Sequence, residues 1–589
     1  MCGIVAYIGK SKNGSQFVFQ GLKKLEYRGY DSWGLAVKPL RSQVLKVEKH
    51  IGKIGQAKTK LPLSSIAIGH TRWATHGGVT NSNAHPHLDC SRKLAVIHNG
   101  IVENYQEIKT ELKKKGHQFR SETDTEVIAH FIEEKLKTMS LRKAVFSTFK
   151  ALSGSNAICV LDSKKETILA CRDGSPLVVG IGKDEYFLAS DVTPFLKKTK
   201  KAVFLKDREG VVLKRHGVSF FNLQTGKKKR IKVKIVNWEV EDAQKGGYSH
   251  FLIKEIFEQP KTISKTAELN REVIKKLSLK IKKGKKVILL GCGTASYCAK
   301  AAEYFFAHAG IEAQSYGAYE FLPFARFCNS KTIVIAISQS GETADTLIAV
   351  KKAKQKKALI AAIVNAPGST LERLADFTLP VGAGPEIAVV STKAFTSQLA
   401  TLYLLSSSVK GKGDLGRKKI KSLDKSLRLW FKNGIKEKII KLAKMLLDAN
   451  DIYLIGKHLN YPAALEFALK IKETSYLHSE AFASGELKHG VISLIQKGTP
   501  CIALLDSQKK IKEEVLSSAM ELKSRGAKII GVAPFNSLVF DYHFKTPDLK
   551  ELTLIPNIIV GQLLGYYLGL GRGTDPDKPR NLAKSVTVK

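Results

Sequence analysis

The chain has 589 residues, more than one hydrophobic core accommodates, so two to four domains are expected. Its hydrophobic fraction of 43% is normal for a globular protein, and the most apolar stretch, 552–570, contains polar residues and a proline that favour a buried helix over a membrane span. The net charge of +43 comes from lysines dispersed in small groups without a nucleic-acid motif, which leaves nucleic-acid binding as the weaker alternative and favours steering of anionic substrates.

Eight cysteines are scattered along the chain, and none forms a Cys-x-x-Cys pair. This spacing predicts neither a zinc site nor a redox pair, so no metal is expected. The N-terminus has no basic region followed by a sustained apolar stretch, so no signal peptide is predicted and a cytoplasmic location is expected.

The N-terminal sequence is Met1-Cys2-Gly3, and removal of Met1 would make Cys2 the first residue. The α-amine of Cys2, with a pKa of about 8, would then lie within reach of its own thiol. A base and a nucleophile on one residue are what N-terminal nucleophile enzymes use. Taken alone, Cys2 is more simply interpreted as an ordinary cysteine in a first strand. The segments that follow it decide between the two interpretations.

Four polar blocks follow at 69–77, 83–87, 97–104 and 121–126. Arg72 and Asp124 form a pair suited to the carboxylate and the ammonium of an amino acid. The side-chain amide of Asn99 and the N–H of Gly100 are suited to stabilise an oxyanion. These four blocks in this order favour the nucleophile interpretation of Cys2.

Residues 2–240 resemble a class II glutamine amidotransferase (glutaminase) domain, and segments 25–32, 172–177 and 189–191 resemble the glutamine–fructose-6-phosphate aminotransferase (isomerizing), or glucosamine-6-phosphate synthase, family. The resemblance implies an N-terminal nucleophile αββα sandwich. Trp33 departs from the family pattern, in which a small residue follows Tyr-Asp-Ser, and we expect a local packing change there. For the site, the resemblance implies Cys2 as the nucleophile, Asn99 and Gly100 as the oxyanion hole, Arg72, Thr75, His76 and Asp124 as glutamine-binding residues, and Trp73 as the gate of an ammonia passage.

The segment 237–248 interrupts this pattern, and its glycine pair, Gly246 and Gly247, predicts a hinge-like turn. A helix over 251–259 is predicted to end near Pro260. The chain thus divides into a glutaminase domain at 2–240 and two further domains at 241–420 and 421–589.

Strands and helices alternate from Lys286 onward. Predicted strands at 287–290, 333–337 and 358–364 each run into a turn and a helix, which is typical of a doubly wound parallel sheet. Ligands bind at the carboxyl ends of such strands, so the loops 291–296 and 338–343 are expected to converge. The loop 338–341 opens a predicted helix at 343–354, whose N-terminus suits a phosphate, although a capped turn without a ligand remains open.

The alternation restarts after a basic, glycine-containing linker at 410–421, with predicted strands at 452–456, 501–505 and 529–532. Both halves resemble sugar isomerase (SIS) domains, and the resemblance covers about 285–580. Ala295 departs from it, because many relatives carry a hydroxyl residue there that touches the phosphate; Ser296 is the neighbouring hydroxyl that could substitute. The resemblance implies sugar-phosphate binding by Cys292, Gly293, Thr294, Ser338, Gln339, Ser340, Thr343, Val389 and Lys470.

Three further groups suit ketose chemistry. A predicted helix at 461–476 places Lys470 and Glu473 on one face, where a surface ion pair is the commoner arrangement. His489 lies in a polar segment at 485–490. The tail 575–589 has the composition of a disordered terminus, but the family resemblance implies a tail folded over the sugar site with Lys584 pointing inward. Its last residue, Lys589, is unlike the acidic end expected of relatives.

The steps needed to aminate a ketose suggest a role for each of these groups. Ring opening needs an acid or base, which His489 suits through its pKa. The implied role of Lys584 is an imine with the C2 carbonyl, and that of Glu473 is to move a proton from C1 to C2. Ammonia released at Cys2 has to arrive unprotonated, which implies a dry internal passage.

The predicted function is the conversion of fructose 6-phosphate and glutamine to glucosamine 6-phosphate and glutamate, the first step of hexosamine synthesis. No metal or organic cofactor, no nucleic acid and no membrane is expected to take part, and the family implies a homodimer. A sugar-phosphate-sensing regulatory protein is the alternative, but a sensor would not need Cys2, Glu473, His489 and Lys584. Other amidotransferases would need a phosphoribosyl or ATP-pyrophosphatase motif, and neither is seen.

Overall fold

The computed structural model describes residues 2–236, 238, 242 and 244–587. Contacts divide the chain into two units: one comprises 1–243, 368–370 and 583–589, and the other comprises 244–367 and 371–582. The predicted removal of Met1, part of the predicted junction (Asn237, Glu239–Glu241 and Ala243) and the unusual end at Lys589 lie outside the described residues.

Among its described residues, the first unit contains two antiparallel sheets and four α-helices. Its helices are α1 (Gly14–Leu25), α2 (Tyr105–Lys114), α3 (Glu126–Leu136) and α4 (Leu141–Ala151). Its strands are β1 (Gly3–Gly9), β2 (Ser32–Val37), β3 (Lys46–Ile51), β4 (Ile66–Arg72), β5 (His87–Leu88), β6 (Leu94–Gly100), β7 (Asn156–Asp162), β8 (Thr167–Asp173), β9 (Val178–Ile181), β10 (Glu185–Ala189), β11 (Lys201–Phe204), β12 (Glu209–Lys214), β13 (Gly217–Asn222), β14 (Lys228–Lys229) and β15 (Lys234–Ile235).

These elements stack as four layers, helix, sheet, sheet and helix. The larger sheet has the order β15-β11-β9-β10-β1-β4-β2-β3, and the smaller has the order β14-β13-β12-β8-β7-β6-β5. Alternate residues of β1, β4, β6 and β7 fill one apolar core between the sheets. The opposite residues of β6 to β8 pack against α2 to α4, and α1 packs on β1 and β4. The predicted αββα sandwich is confirmed.

From residue 251 the chain forms three successive helices, and the predicted alternation of strands and helices begins at Lys286 and resumes at Asp451 after three more helices. The elements are α5 (Phe251–Phe257), α6 (Gln259–Glu268), α7 (Arg271–Lys282), β16 (Lys286–Gly291), α8 (Thr294–Ala307), β17 (Ala313–Gly317), β18 (Thr332–Ser338), α9 (Ala344–Gln355), β19 (Leu359–Val364), α10 (Thr370–Leu374), β20 (Phe377–Pro380), α11 (Lys393–Val409), α12 (Gly413–Lys432), α13 (Ile435–Leu446), β21 (Asp451–Gly456), α14 (Asn460–Ser475), β22 (His478–Ala483), β23 (Pro500–Leu504), α15 (Lys509–Ser524), β24 (Lys528–Ala533), β25 (Tyr542–Lys545) and α16 (Leu554–Gly571).

The second unit holds two parallel five-stranded sheets with equivalent strand orders, β17-β16-β18-β19-β20 and β22-β21-β23-β24-β25. Helices cover both faces of each sheet, and one continuous apolar core, which includes residues of α8, α11, α14 and α16, joins the two. The two predicted doubly wound sheets are therefore confirmed, and the same order in both identifies them as a structural repeat.

Two boundaries differ from the predictions. The prediction of a linker at 410–421 is wrong, because the structure is not interrupted there. Helix α12 begins at Gly413, and the buried face of this helix, which includes Ile420 and Leu423, packs into the core. The helix predicted to end near Pro260 does end, at Phe257, but α6 then begins with this proline in its first turn, where the missing N–H costs nothing.

One helix of the described chain, Lys550–Gly571, is long and apolar enough to cross a bilayer. Most of it, 83% of its most apolar window, is buried inside the protein, so it matches the predicted core helix.

The tail is ordered where it follows α16. The Asp577 carboxylate accepts the first N–H groups of α5, from Phe251 at 2.9 Å and Leu252 at 2.8 Å. The Arg580 N–H donates to the Tyr476 hydroxyl at 2.7 Å, and the Arg580 guanidinium stacks over the same ring. The disordered terminus that composition alone would indicate is thus wrong for this part of the tail, because Asp577 caps a helix.

Candidate functional site

Polar side chains gather where several strands of the first unit leave the core between the sheets. Alternate residues of β1 face that core, and the same alternation turns Cys2 to this side. The same rule in β4 and β6 turns His70, Arg72 and Asn99 inward, and Ser190 follows β10 in the same way. The strand pattern therefore brings these five side chains to one end of the core.

The Cys2 thiol lies against the peptide of Trp73. The Trp73 N–H donates to Sγ at 3.3 Å, and the Trp73 carbonyl oxygen lies 3.5 Å from Sγ. Gly29 packs closely against the same peptide, since a Cβ there would lie 2.7 Å from the Arg72 carbonyl carbon and 2.8 Å from the Trp73 nitrogen. Burial raises the pKa of the Cys2 thiol, so a base is needed to make it a nucleophile at neutral pH.

Asn99 is oriented by a buried histidine. The Asn99 Nδ2 group donates to the Cys2 carbonyl oxygen at 2.9 Å and to Ser190 Oγ at 3.0 Å, while Oδ1 lies 3.0 Å from His70 Nε2. Burial lowers the pKa of His70 to about 3, so the ring is neutral and carries one N–H. A proton on Nε2 donates to Asn99 Oδ1 and leaves the amide N–H groups directed at the Cys2 carbonyl oxygen and at Ser190 Oγ. Sequence reasoning did not identify His70 and Ser190. The alternation of side chains along β4 and β10 is the signal that could have identified them.

Gly100 ends β6 in a backbone conformation that favours glycine. Its φ is +129°, and a Cβ would lie 2.0 Å from the Ser155 carbonyl oxygen. Only glycine therefore lets the chain turn directly beside Asn99, which keeps the two predicted oxyanion groups adjacent.

The predicted glutamine-binding residues surround the loop that follows β4. The Arg72 guanidinium donates to the carbonyl oxygens of His76, Gly77 and Gly78 at 2.5 to 3.1 Å, so it shapes this loop. Thr75 is exposed on the loop, and the His76 ring contacts another aromatic ring edge-on. Arg72 has five N–H donors, more than these contacts require.

Asp124 lies buried at the start of α3. Its Oδ2 accepts the Val102 N–H at 2.7 Å, which ties the loop before α3 to the end of β6. Arg72 and Asp124, the predicted partners of the substrate carboxylate and ammonium, lie close enough for their charges to interact.

In the second unit, glycines let two helices start against two strand ends. A Cβ on Gly291 would lie 2.5 Å from the Ala295 carbonyl carbon, and one on Gly456 would lie 2.2 Å from the Asn460 carbonyl oxygen. Gly293, between β16 and α8, has a φ of +54°. Cys292 Sγ lies 3.6 Å from the hydroxyl of Thr346 in α9, so the two loops predicted to converge do so.

The loop after β18 folds around its own hydroxyl groups. Ser338 Oγ accepts the Gly341 N–H at 2.9 Å and lies 3.1 Å from Thr343 Oγ1. Ser340 Oγ accepts the Glu342 N–H at 3.2 Å, and the Gln339 carbonyl oxygen accepts two N–H groups of the loop after β19. These hydrogen bonds hold the loop that opens α9, whose N-terminus carries the positive end of the helix dipole.

Lys470 connects the two SIS-like halves. Its Nζ lies 2.5 Å from Glu473 Oε2, 3.3 Å from Glu466 Oε1 and 3.1 Å from the hydroxyl of Thr294. Only 1% of the Lys470 side chain is exposed, so a surface ion pair is the wrong description. Burial alone would lower the pKa of Lys470, but the two carboxylates raise it to about 12 and keep the lysine charged.

Glu466 is a member of this cluster that sequence reasoning missed. Burial raises the pKa of Glu466 to about 8, although the positive charge of Lys470 acts in the opposite direction. Glu466, Lys470 and Glu473 are spaced i, i+4 and i+7 on α14, which is one helix face. That spacing is the signal that could have identified it.

His489, Lys584 and Val389 are the remaining predicted residues of the sugar half. His489 is exposed, and among the described residues its side chain makes no hydrogen bond or ion pair. Lys584 is partly buried and belongs by its contacts to the first unit. The Val389 N–H donates to the Asp577 carbonyl oxygen at 3.0 Å, beside the ordered tail.

Both departures from the family pattern have a structural account. Trp33 is buried and stacks on His50 with ring centroids 4.3 Å apart, so the large side chain fills space between α1 and β3. Ala295 packs against the apolar core of the second unit. The Ser296 hydroxyl donates to the Gly293 carbonyl oxygen at 2.7 Å, close to the candidate phosphate loop.

Comparison with known proteins adds independent observations. A family model described as glutamine amidotransferase domain matches residues 70–197, and one described as SIS domain matches 280–408 and 445–540. Curated proteins named glutamine--fructose-6-phosphate aminotransferase [isomerizing] align over 100% of both chains. They include those of Pyrococcus horikoshii (42% identity), Thermus thermophilus (41%) and Clostridium acetobutylicum (40%).

Solved structures match the second half of the chain. The C-terminal domain of glucosamine-fructose-6-phosphate aminotransferase from Francisella tularensis is 31% identical, with a TM-score of 0.52, and the match covers 57% of this chain and all of that one. A putative tagatose-6-phosphate ketose/aldose isomerase from Clostridium novyi, 18% identical with a TM-score of 0.51, covers 57% of this chain and 93% of its own and supports the fold alone.

The neutral state of His70 predicts a pH dependence of stability. The folded pKa of about 3 lies below the unfolded value of about 6.5, so the unfolded chain binds the extra proton between these values. The free energy of unfolding should therefore fall as pH drops through 6.5, by up to about 1.4 kcal/mol per pH unit for this group. Urea unfolding at pH 7 and pH 5.5 measures the effect.

The variant His70→Gln keeps an N–H donor toward Asn99 and should flatten that pH dependence. The exposed His216 supplies the control, because His216→Gln should leave the dependence of the wild type unchanged. Identical pH dependences in the wild type and His70→Gln would contradict a neutral, buried His70.

Proposed function

The chain belongs to the family of isomerizing glutamine–fructose-6-phosphate aminotransferases, and on that premise we propose which residues carry each half of the reaction. It converts fructose 6-phosphate and glutamine to glucosamine 6-phosphate and glutamate. We assign glutamine hydrolysis to residues 2–240 and the sugar chemistry to SIS domains at 241–420 and 421–589. The separate SIS matches at 280–408 and 445–540 support this division.

Cys2 is the proposed nucleophile. The observation that carries the proposal is the position of the Cys2 thiol on the Trp73 N–H, beside the amide of Asn99. The α-amine freed by loss of Met1 takes the thiol proton, and the Trp73 N–H stabilises the thiolate. Attack on the glutamine side-chain carbonyl forms an oxyanion, which Asn99 Nδ2 and the Gly100 N–H stabilise. Ammonia leaves, and water releases glutamate from the thioester.

The remaining residues of this half hold the amino-acid end of glutamine. Arg72 has donors beyond those that shape the loop after β4, and these suit the substrate carboxylate. Asp124 suits the substrate ammonium, and Thr75 and His76 line the same loop. Trp73 is the proposed gate for ammonia, since its peptide touches the Cys2 sulfur where ammonia forms.

The sugar phosphate is assigned to the loops that open α8 and α9. The phosphate suits Ser338, Gln339, Ser340 and Thr343 at the N-terminus of α9, where backbone N–H groups and the helix dipole favour an anion. Cys292, Gly293 and Thr294 form the facing loop, and Val389 borders it beside the ordered tail.

Glu473 is the proposed base that moves a proton from C1 to C2. Lys470 holds its carboxylate at 2.5 Å, and Glu466 holds Lys470 from the other side, so we assign Glu466 as a positioning residue. Lys584 is the proposed amine for an imine with the C2 carbonyl, and His489 is the proposed acid for ring opening. Free ammonia passes from Cys2 to this carbonyl without release to solvent. These residues carry the chemistry without a metal or organic cofactor.

We further propose a homodimer in the cytoplasm. The His489 side chain is exposed and makes no hydrogen bond or ion pair within the described part of its chain, which supports a role for it at the sugar site of a partner. The eight free cysteines, with the reactive Cys2 among them, suit a reducing compartment. Recovery of the protein from an oxidising compartment in cell fractionation would contradict the proposed location.

Replacement of Cys2 separates the two half-reactions. Cys2→Ala should abolish release of glutamate from glutamine, because no thiol remains to attack the amide. Exchange of the C1 proton of fructose 6-phosphate with deuterium should persist, because it takes place in the other unit. Amino-acid analysis and mass spectrometry measure the two activities.

Cys328→Ala is the matched control, because this buried thiol lies beneath the first SIS sheet and should affect neither activity. Loss of proton exchange together with glutamine hydrolysis in a folded Cys2→Ala protein would contradict the separation.

Replacement of Glu473 tests the sugar half. Glu473→Gln keeps the shape of the side chain but removes the base, so C1 exchange should fall by about 10²–10⁴-fold while glutamine hydrolysis continues. Glu513→Gln, on an exposed face of α15, is the control. Retained exchange in Glu473→Gln would assign the base to another residue.

Mixed dimers test the sharing of His489. His489→Ala and Glu473→Gln chains carrying different tags are co-expressed, and the heterodimer is isolated. Shared sites predict that each heterodimer regains one of its two sites, because the intact Glu473 of one chain then meets the intact His489 of the other. A heterodimer as inactive as both parents would contradict sharing.

A further inference from the structure

Four potential metal ligands meet in the first unit, outside both sites described above. Cys90 follows β5, His117 follows α2, and His130 and Glu133 lie one turn apart on α3. The thiol, one nitrogen of each ring and one carboxylate oxygen all lie within 4.8 Å of one another. The ring side chains are 5% and 2% exposed, whereas Cys90 is exposed and the Glu133 side chain is 20% exposed, so the two buried rings close the inner side of a cluster that opens at the surface.

The individual distances match a tetrahedral zinc site. Cys90 Sγ lies 3.7 Å from His117 Nδ1 and 3.4 Å from His130 Nδ1. Glu133 Oε2 lies 3.2 Å from His117 Nδ1 and 3.4 Å from His130 Nδ1. Zinc bonds of ordinary length at the tetrahedral angle place sulfur and nitrogen about 3.6 Å apart and nitrogen and oxygen about 3.3 Å apart.

The outer nitrogens of both rings face carboxylates. His117 Nε2 lies 3.1 Å from Glu134 Oε2, and His130 Nε2 lies 3.7 Å from Glu126 Oε1. A carboxylate beside the outer nitrogen favours the proton there, which leaves the inner Nδ1 with its lone pair. Histidines that ligate metals are held by this arrangement, a carboxylate behind the ring and the metal in front.

The inward-facing atoms are then two ring lone pairs, a carboxylate oxygen and a thiol. Four such electron donors within a few ångströms repel one another unless protons or a metal cation lie between them, and a single metal ion bonds all four at once. A thiolate and one carboxylate carry two negative charges, which a divalent ion neutralises. Mixed sulfur, nitrogen and oxygen ligands in tetrahedral positions favour zinc over magnesium or calcium, which prefer oxygen ligands alone.

We propose that Cys90, His117, His130 and Glu133 bind one Zn²⁺ ion. Four protein ligands leave no open position, so the site is structural and takes no part in catalysis. His117 and His130 bracket the segment that carries Asp124, and the ion would close this segment into a loop. It would also fix Cys90, whose backbone N–H already donates to Glu133 Oε2 at 3.1 Å, against α3.

Sequence reasoning predicted no metal because the ligand spacing matches no zinc motif. Cys90 and His117 are 27 residues apart, and each reaches the site from a loop. Only His130 and Glu133, at i and i+3 on α3, form a local pair. The stacking of β5, α2 and α3 brings the four together, and a single sequence does not show that packing.

Metal analysis of the full-length protein tests the proposal. Protein purified after growth with zinc should contain one zinc per chain by mass spectrometry of the elements. After removal with a chelator, Co²⁺ should restore occupancy and produce the visible bands of tetrahedral cobalt together with a thiolate charge-transfer band. Cys90→Ala and His130→Ala should lose both the zinc and the bands.

Cys328→Ala and His216→Gln are the matched controls and should keep zinc and bands unchanged. Glu134→Gln leaves all four ligands in place and should weaken zinc affinity by about 10–100-fold, measured by competition with a chromophoric chelator. Because Glu134→Gln keeps all four ligands, it tests the proposal even where a ligand variant fails to fold. A wild-type protein that holds no more zinc than Cys90→Ala and gives no cobalt bands would overturn the proposal.

Discussion

The glutamine site depends on the regular alternation of side chains in the two stacked antiparallel sheets. One side of each strand fills a dry core, and the same side ends in Cys2, His70, Arg72 and Asn99 where the strands leave it. A shift of one residue in the pairing of β1 with β4 would turn Cys2 away from Asn99. The apolar core therefore fixes the register that assembles the polar site, and the neutral His70 sets the direction of the Asn99 amide.

The proposed sugar site contains a buried charge that stability alone does not explain. Replacing a buried ion pair by apolar residues is often neutral or stabilising by about 1–4 kcal/mol, whereas removal of one partner costs about 3–5 kcal/mol. Lys470 nevertheless remains buried among Glu466, Glu473 and Thr294, at the point where helix α14 meets the loop that opens α8. A charge retained at that cost, beside a loop suited to a phosphate, is better explained by chemistry on an anionic sugar.

Much of this architecture was predictable, because local patterns determine it. Apolar runs that stop at glycine and hydroxyl residues identified β16, β18 and β21, and the polar blocks after Cys2 identified the glutaminase half. The failures concern residues whose state depends on distant partners. The segment 410–421 was predicted to be a linker, but its apolar residues pack into the core. For Lys470 and Asp577, local composition alone indicated a surface ion pair and a disordered terminus, and only the family resemblance favoured the ordered arrangement that the structure has. The Cys90 cluster escaped because its ligands come from separate elements.

The central claim is that one chain hydrolyses glutamine at Cys2 and delivers the ammonia internally to fructose 6-phosphate. The most direct measurement is mass spectrometry of the products formed from amide-¹⁵N glutamine and fructose 6-phosphate in excess unlabelled ammonium. The account predicts glutamate together with glucosamine 6-phosphate that carries ¹⁵N. Glutamate accompanied by unlabelled amino sugar, or by none, would contradict it.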